Sequence, residues 1–168
     1  MLVDELLPRV TRPGQYLGNE WGAVRRPWQD ADVHLALAFP DLYELGMSNF
    51  GLRILYQIVN GCEGFMADRS YAPDSDLEQL LRAANLPLWG WESRQALGAF
   101  ELVGFSLQYE LTYTNVLNML DLAGIPVRAS ERKELFPLIF GGGPSAVNPE
   151  PITSEMREIQ PRSSANMR

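Results

Sequence analysis

The feature that most constrains the fold is a repeated alternation of short apolar segments with helical segments. The run "VHLALAF" (33–39) is apolar except for His34 and ends at a proline, as a strand buried on both faces does. From Ser48 or Asn49, both good helix caps, apolar residues recur at helical spacing until Gly61 provides a stop. The recurring residues are Phe50, Ile54, Leu55, Ile58 and Val59.

The same strand–helix unit recurs twice along the chain. A weaker strand in "GFMADRS" (64–70) precedes a helix that opens at Ser75, where Ser75 and Glu78 have capping-box spacing. A third strand at 100–107 precedes a helix over 112–124, and a fourth, "LFPLIFG", leads into three glycines. Strands that alternate with single helices predict an α/β fold with a flavodoxin-like (Rossmann-type) parallel sheet in the order 2-1-3-4.

The two ends of the sequence do not follow this alternation. Residues 1–30 are rich in Gly, Pro and Trp and predict an extended arm packed on a domain of residues 31–151. Residues 152–168 have few apolar residues and no clear period, which predicts a disordered tail. Because sheets of this type normally add a fifth strand here, we expect the chain to be a truncated form or fragment.

Composition excludes several classes of function. A net charge of -7 argues against a nucleic-acid partner, because nucleic-acid binders concentrate Lys and Arg. No segment approaches the roughly 20 apolar residues that cross a membrane, and the first residues lack the features of a secretory signal. We therefore expect a cytoplasmic protein. The single cysteine, Cys62, allows no internal disulfide and no iron–sulfur or structural zinc site.

The predicted sheet brings three loops to one edge, because ligands of such folds bind beyond the carboxyl ends of the strands. The glycines allow close backbone approach to a flat ligand or a phosphate, although glycines after a strand also make ordinary turns. Tyr109 is open to a similar alternative, since it can simply cover the base of the following helix. His34 is predicted to be a packed or edge-exposed side chain and not a catalytic one. The candidate cofactor-binding residues are Asp41, Tyr43, Gly46, Ser48 and Asn49, then Ser106, Gln108, Tyr109 and Glu110, and finally Gly141, Gly142 and Gly143.

Several stretches in combination carry a family resemblance. The segments "HLALAFPDLYELGMSNFGLRILYQIVN", "GFSLQYELTYTNVLNMLDLAGIP" and "FGGGPSAVNPEP" resemble the amino-terminal, cobalamin-binding-like domain of large radical S-adenosylmethionine (radical SAM) proteins. The resemblance implies a partner domain, normally in the same chain, whose C-x-x-x-C-x-x-C loop holds a 4Fe-4S cluster and S-adenosylmethionine. This sequence contains no such loop, so the resemblance implies an accessory domain that is inactive alone.

The stretch "DLYELG" (41–46) resembles the D-x-H-x-x-G loop of corrinoid proteins, in which the histidine is the lower ligand of cobalt. Asp41, Gly46, Ser106 and the glycines 141–142 have comparable places, while Tyr43 replaces the histidine. A phenol, with an ordinary pKa of about 10, is neutral at pH 7 and a poor cobalt ligand. The resemblance therefore implies at most cobalamin bound without a protein ligand to the metal.

Three functions remain open at this point. The first is an accessory domain of a radical SAM enzyme that binds cobalamin and helps to close the catalytic barrel over substrate. The second is a non-enzymatic interaction module with a degenerate ligand crevice. The third, a flavodoxin-like nucleotide or flavin binder, is weaker because no G-x-G-x-x-G motif or Ser/Thr-rich phosphate loop follows the first strand.

Overall fold

The predicted alternation is present in the computed structural model, which describes residues 3–132 and 137–147. Four parallel strands form one sheet in the order β2-β1-β3-β4, which confirms the predicted fold class and strand order. The elements are α1 (Val3–Leu6), β1 (Val33–Phe39), α2 (Tyr43–Ser48), α3 (Phe50–Asn60), β2 (Phe65–Tyr71), α4 (Ser75–Ala84), β3 (Leu102–Ser106), α5 (Tyr113–Leu122) and β4 (Leu138–Gly142).

Helices cover the two faces of the sheet unequally. Right-handed crossovers put α3 on one face and both α4 and α5 on the other, because the chain reverses its direction across the sheet after β2. Helices α4 and α5 are joined by polar contacts, including Arg82 Nη1 to Asp121 Oδ2 at 2.8 Å. The core is formed by buried side chains of the strands together with Leu77 and Leu81 of α4 and Val116 and Met119 of α5.

Helix caps decide where two of the helices begin. Of the two predicted caps of α3, Ser48 and Asn49, the structure has Asn49, whose Oδ1 accepts a hydrogen bond from Leu52 N at 2.8 Å. The predicted capping box of α4 is wrong, because Asp74 and not Ser75 is the N-cap residue. The Asp74 carboxylate accepts from Ser75 N at 2.7 Å. Glu78, the other half of the predicted box, instead pairs with Arg82 one turn later.

Helix α3 is present as predicted, but most of the apolar residues that predicted it do not face the core. Leu52 and Tyr56 are its buried residues, and Val59 packs partly against the core. Residues 50, 54, 55 and 58 are large, apolar and exposed to solvent. The spacing correctly predicted a helix. The apolar residues that gave this spacing mostly face solvent, whereas those of a core helix would face the sheet.

His34 is a packed side chain, which is one of the two placements that the sequence left open. It is 5% exposed and its ring stacks on Trp28 with ring centroids 3.6 Å apart. Its Nδ1 lies 2.9 Å from Glu101 Oε2, and its Nε2 lies 2.8 Å from the carbonyl oxygen of Trp28. These contacts fasten the arm to the start of β1.

The residues before β1 are held on the domain by several specific contacts. Tyr16 is buried, and the carbonyl of Gln15 accepts a hydrogen bond from Trp91 Nε1 at 2.7 Å. The backbone N–H of Val24 donates to the Tyr56 hydroxyl of α3 at 2.7 Å. The predicted tail at 152–168 and the last residues of the predicted domain lie outside the described residues. No helix in the described ranges has the length and apolar content to cross a membrane.

A buried ion pair joins the arm, strand β2 and the loop after α4. Arg69 on β2 has a side chain only 5% exposed, and its guanidinium pairs with the almost fully buried Glu92, with Nε to Oε1 at 2.7 Å. Its Nη2 also lies 3.3 Å from Glu20 Oε2 of the arm. The guanidinium carbon is 4.6 Å from the ring centroid of Tyr56. Two segments distant in sequence are therefore tied to β2 through one cation.

Replacing Arg69 with Met should lower the free energy of unfolding by about 3–5 kcal/mol, because it leaves carboxylates buried without their partner. The double variant Arg69→Met/Glu92→Gln should recover a measurable part of this loss, since it removes one of the stranded charges. Urea unfolding followed by circular dichroism measures both values. Arg53→Met, which removes an exposed cation, is the control and should change stability by less than about 0.5 kcal/mol. A double variant no more stable than the single one would show that the pair is not coupled.

Candidate functional site

The three loops predicted to form a site meet at the carboxyl edge of the sheet. The first and second loops are joined by a hydrogen bond from the Tyr109 hydroxyl to the Asp41 carboxylate, and this bond together with burial raises the pKa of Tyr109. Asn115 at the start of α5 reinforces the junction, with Nδ2 donating to the carbonyl of Pro40 at 2.9 Å. The loop after β1 is thus bound to the loop after β3.

The second and third loops are joined mainly through their backbones. Leu107 N donates to the carbonyl of Gly142 at 2.7 Å, and Ser145 N donates to the carbonyl of Leu107 at 3.2 Å. The Tyr113 hydroxyl donates to the carbonyl of Ser145 at 2.9 Å. These contacts extend the pairing of β3 with β4 beyond the sheet and hold the third loop against the second.

A pocket of about 410 Å³ opens between these loops and helix α3, and we call it the edge pocket. Its interior is mainly apolar, with side chains of β1, α3 and β4 around it. Its polar side chains come from the predicted loops. The lining residues are Leu37, Asn49, Gly51, Leu52, Leu55, Gly104, Phe105, Ser106, Gln108, Phe140, Gly142, Gly143 and Pro144.

Two neighbouring glycines of the edge pocket have different structural roles. A Cβ atom added to Gly142 would meet no heavy atom within 4 Å, so this position faces open space. Gly143 has φ of +116°, and a Cβ atom there would lie 2.5 Å from the carbonyl oxygen of Leu107. The backbone conformation at position 143 therefore requires glycine. The backbone does not require glycine at position 142, where the absence of a side chain leaves the pocket open.

Five of the predicted site residues line the edge pocket, namely Asn49, Ser106, Gln108, Gly142 and Gly143. Asn49 Oδ1 is engaged in capping α3, and Gln108 Nε2 donates to Ser106 Oγ at 2.9 Å. Gly141 belongs to β4, opposite Phe105 of β3, instead of to a loop. The strand also includes Gly142, so the predicted glycine loop begins later than expected.

Other predicted residues lie away from the edge pocket. Ser48 Oγ donates to the carbonyl of Leu45 at 2.8 Å, and Glu110 lies exposed in the short turn before α5. Gly46 is buried, and a Cβ atom there would lie 2.3 Å from the ring of Tyr71. Close packing between α2 and β2 accounts for this glycine without a ligand.

Tyr43, which replaces the histidine of the corrinoid motif, faces the arm. Its hydroxyl donates to Glu20 Oε1 at 2.9 Å, and its ring makes an edge contact with Tyr71 at a centroid distance of 5.6 Å. Burial, together with the hydrogen bond to Glu20, raises the pKa of Tyr43 to about 12. The phenol is thus neutral at pH 7 and engaged in the packing of the arm.

Sequence reasoning missed the apolar residues that form the body of the pocket. Leu37, Leu55 and Phe140 are among them, and their identity is typical of core residues. Gly104 was also missed. A Cβ atom there would lie 2.6 Å from the ring of Phe140, so the glycine allows that ring to lie across β3. No local signal distinguishes such residues from ordinary core positions.

The described residues contain no metal-binding cluster. No group of three or more His, Cys, Asp or Glu side chains converges within residues 3–132 and 137–147. Cys62 is exposed on the loop after α3, with Sγ 3.3 Å from the carbonyl oxygen of Ile58. The described part of the site therefore provides a shaped pocket with a few polar groups.

Comparison with known proteins supplies the family. Residues 51–157 match the family described as "Radical SAM proteins, N-terminal", which is well over half of the chain. The chain belongs to this family. No curated protein and no solved structure matched the chain. The match begins within α3 of the radical SAM N-terminal domain and includes β3, β4 and the loops that follow them.

The two pocket glycines should respond differently to alanine. Gly143→Ala should lower the free energy of unfolding by about 1–3 kcal/mol, because it forces a side chain into a strained backbone conformation. Gly142→Ala should leave stability nearly unchanged, since its Cβ atom meets open space. Urea unfolding of the two variants in parallel measures the difference. Equal losses would show that the third loop is not held in this conformation.

Proposed function

We propose that this radical SAM N-terminal domain is an accessory domain that binds cobalamin across the carboxyl edge of its sheet. The nucleotide tail of the cofactor would occupy the edge pocket. The observation that carries the proposal is the open space at Gly142, at the edge where the three predicted loops meet. The domain would be catalytically inactive without the radical SAM domain.

The dimensions and chemistry of the edge pocket support this ligand. Its volume of about 410 Å³ lies in the range of about 300–1,000 Å³ that is typical of small-molecule sites. Apolar side chains such as Leu55 and Phe140 suit the flat aromatic base of the tail. Ser106 and Gln108 offer polar atoms to its more hydrophilic part.

The division of chemistry follows from the residues that the chain contains. A bound cobalamin would supply a cobalt centre that carries an alkyl group, and the residues of this domain would hold and orient the cofactor. The 4Fe-4S cluster and S-adenosylmethionine would belong to the radical SAM domain. One cysteine in the whole sequence does not provide the thiolates that such a cluster needs.

The lower face of the cofactor would have no ligand from position 43. The Tyr43 hydroxyl is engaged with Glu20, and its raised pKa keeps it protonated at neutral pH. A neutral phenol is a poor ligand for cobalt. Affinity would therefore come from the shape of the crevice and from backbone contacts of the glycine-containing loops.

Titration of the chain with hydroxocobalamin, followed by absorbance and equilibrium dialysis, tests the proposal. The unaltered chain should bind, and Gly142→Leu should weaken binding at least tenfold because the leucine side chain fills the edge pocket. Tyr43→Phe should keep the affinity and the cobalt spectrum of the parent, since the hydroxyl that it removes donates to Glu20 of the arm and Tyr43 does not line the edge pocket.

Gly14→Leu is the matched control, because it adds the same side chain at an exposed glycine whose Cβ atom would also meet open space. If Gly14→Leu also lost binding, the loss in Gly142→Leu would come from adding a leucine and not from filling the edge pocket. Absence of binding by the unaltered chain would reject the corrinoid proposal, and loss of binding in Tyr43→Phe would reject the account of the lower face.

A second candidate is an interaction module without a cofactor. The observation that favours it is the row of exposed apolar side chains on α3, which includes Phe50, Ile54 and Ile58. A surface of this kind is typical of a protein–protein contact. It gains support if the chain binds no corrinoid while it still associates with a protein partner.

A further inference from the structure

Helix α3 has two apolar faces on opposite sides. With about 3.6 residues per turn, positions 52, 56 and 59 share one side and positions 50, 54 and 58 share the other. The first set packs towards the sheet, whereas Phe50 is 70% exposed and Ile58 is 59% exposed. The apolar residues of α3 cover about two thirds of its circumference, with Arg53, Gln57 and Asn60 on the rest. So wide an apolar surface is typical of a helix that packs between two layers. Only one of those layers is present among the described residues.

The arm adds a fully exposed tryptophan beside this second face. Trp21 has 100% of its surface accessible and lines a groove of about 480 Å³ together with Phe50, Ile54 and Ile58. We call these four side chains the α3 ridge. Soluble monomers rarely expose contiguous apolar patches larger than a few hundred Å² unless the patch is functional. Tryptophan is also among the residues that contribute most to protein interfaces.

The polar groups of the groove suggest which charge a partner presents. Arg69 and Glu20 at its floor are already paired with each other. Gln57 is also engaged, with Nε2 donating to the carbonyl of Gly22 at 3.1 Å. Arg53 lines the same groove, and its side chain has no ion pair with any described residue. A partner that fits this surface has an apolar face and a carboxylate opposite Arg53.

We propose that the α3 ridge is the docking surface for the catalytic domain of a radical SAM protein. Family membership supplies the occupant, because the matched region is the N-terminal part of proteins that continue into such a domain. A second copy of this chain fits less well, since each copy carries a net charge of -7 and presents the same Arg53. The inference rests on the accessory-domain part of the proposed function and is independent of cobalamin binding.

Calorimetric titration tests the surface directly. The probe is the catalytic part of a full-length radical SAM protein whose N-terminal region matches the same family, expressed without that region. The unaltered chain should bind it, and Trp21→Ala and Ile54→Glu should each weaken binding at least tenfold. Arg53→Glu should also weaken it, because the substitution reverses the charge at the rim. Trp21→Ala carries most weight, since a fully exposed side chain contributes little to folding.

Phe65→Ser is the matched control, because Phe65 is a partly exposed aromatic at the amino-terminal edge of the sheet. It should bind the probe like the unaltered chain. Equal binding by all ridge variants, or no binding by the unaltered chain, would overturn the proposal. So would a dimer of the chain alone in sedimentation that Trp21→Ala dissociates, because the occupant would then be a second copy.

Hydroxocobalamin titration of the same variants separates this inference from the ligand proposal. Because Trp21 and Ile54 do not line the edge pocket, their variants should keep any cobalamin affinity of the parent. Loss of docking with cobalamin binding retained assigns the effect to the ridge. If the unaltered chain docks but binds no cobalamin, the cobalamin proposal is rejected and the docking proposal is supported.

Discussion

The interaction on which the arrangement of this domain depends is the enclosure of the Arg69 guanidinium. A cation with a side chain 5% exposed requires nearby carboxylates, and Glu92 and Glu20 provide them from two distant segments. Glu20 also accepts the hydrogen bond of Tyr43, so the start of α2 is tied to the arm through the same carboxylate. The side chain at position 43 is thereby directed towards the arm, and the edge pocket is formed by α3 with the loops after β3 and β4.

The carboxyl edge of the sheet therefore has one part that is filled by packed side chains and one part that is open. Near β2, the arm, α2 and the loop after α4 fill the available space with paired charges and aromatic rings. Between β1, β3 and β4, Gly142 leaves room that side chains do not fill. Helix α3 separates these two regions and exposes its second apolar face. One helix thus borders both the candidate ligand pocket and the candidate docking surface.

The fold was predictable because its determinants are local. Strands and helices are specified by the mostly apolar run at 33–39, by the stop at Gly61 and by the return of the same pattern. The handedness of crossovers then leaves few topologies. The three loops meet because the carboxyl ends of neighbouring parallel strands lie at the same edge of the sheet. The partner of Tyr43 was not predictable, because Glu20 lies far away in the sequence and its role depends on Arg69. The spacing at 50, 54 and 58 also did not show which side of α3 packs on the sheet. Periodicity identifies the residues that share one side of a helix, but it does not identify what covers that side.

In the proposed function, the edge pocket receives the nucleotide tail of a corrinoid. The most direct test compares the affinity of the chain for cobalamin with its affinity for cobinamide, which keeps the corrin ring and lacks the nucleotide. Equilibrium dialysis with both ligands gives the ratio, and Gly142→Leu gives the same ratio with the pocket filled. If the tail occupies the edge pocket, the chain should prefer cobalamin at least tenfold, and Gly142→Leu should remove this preference. Equal affinities for the two ligands in the unaltered chain, or a preference that persists in Gly142→Leu, would contradict it.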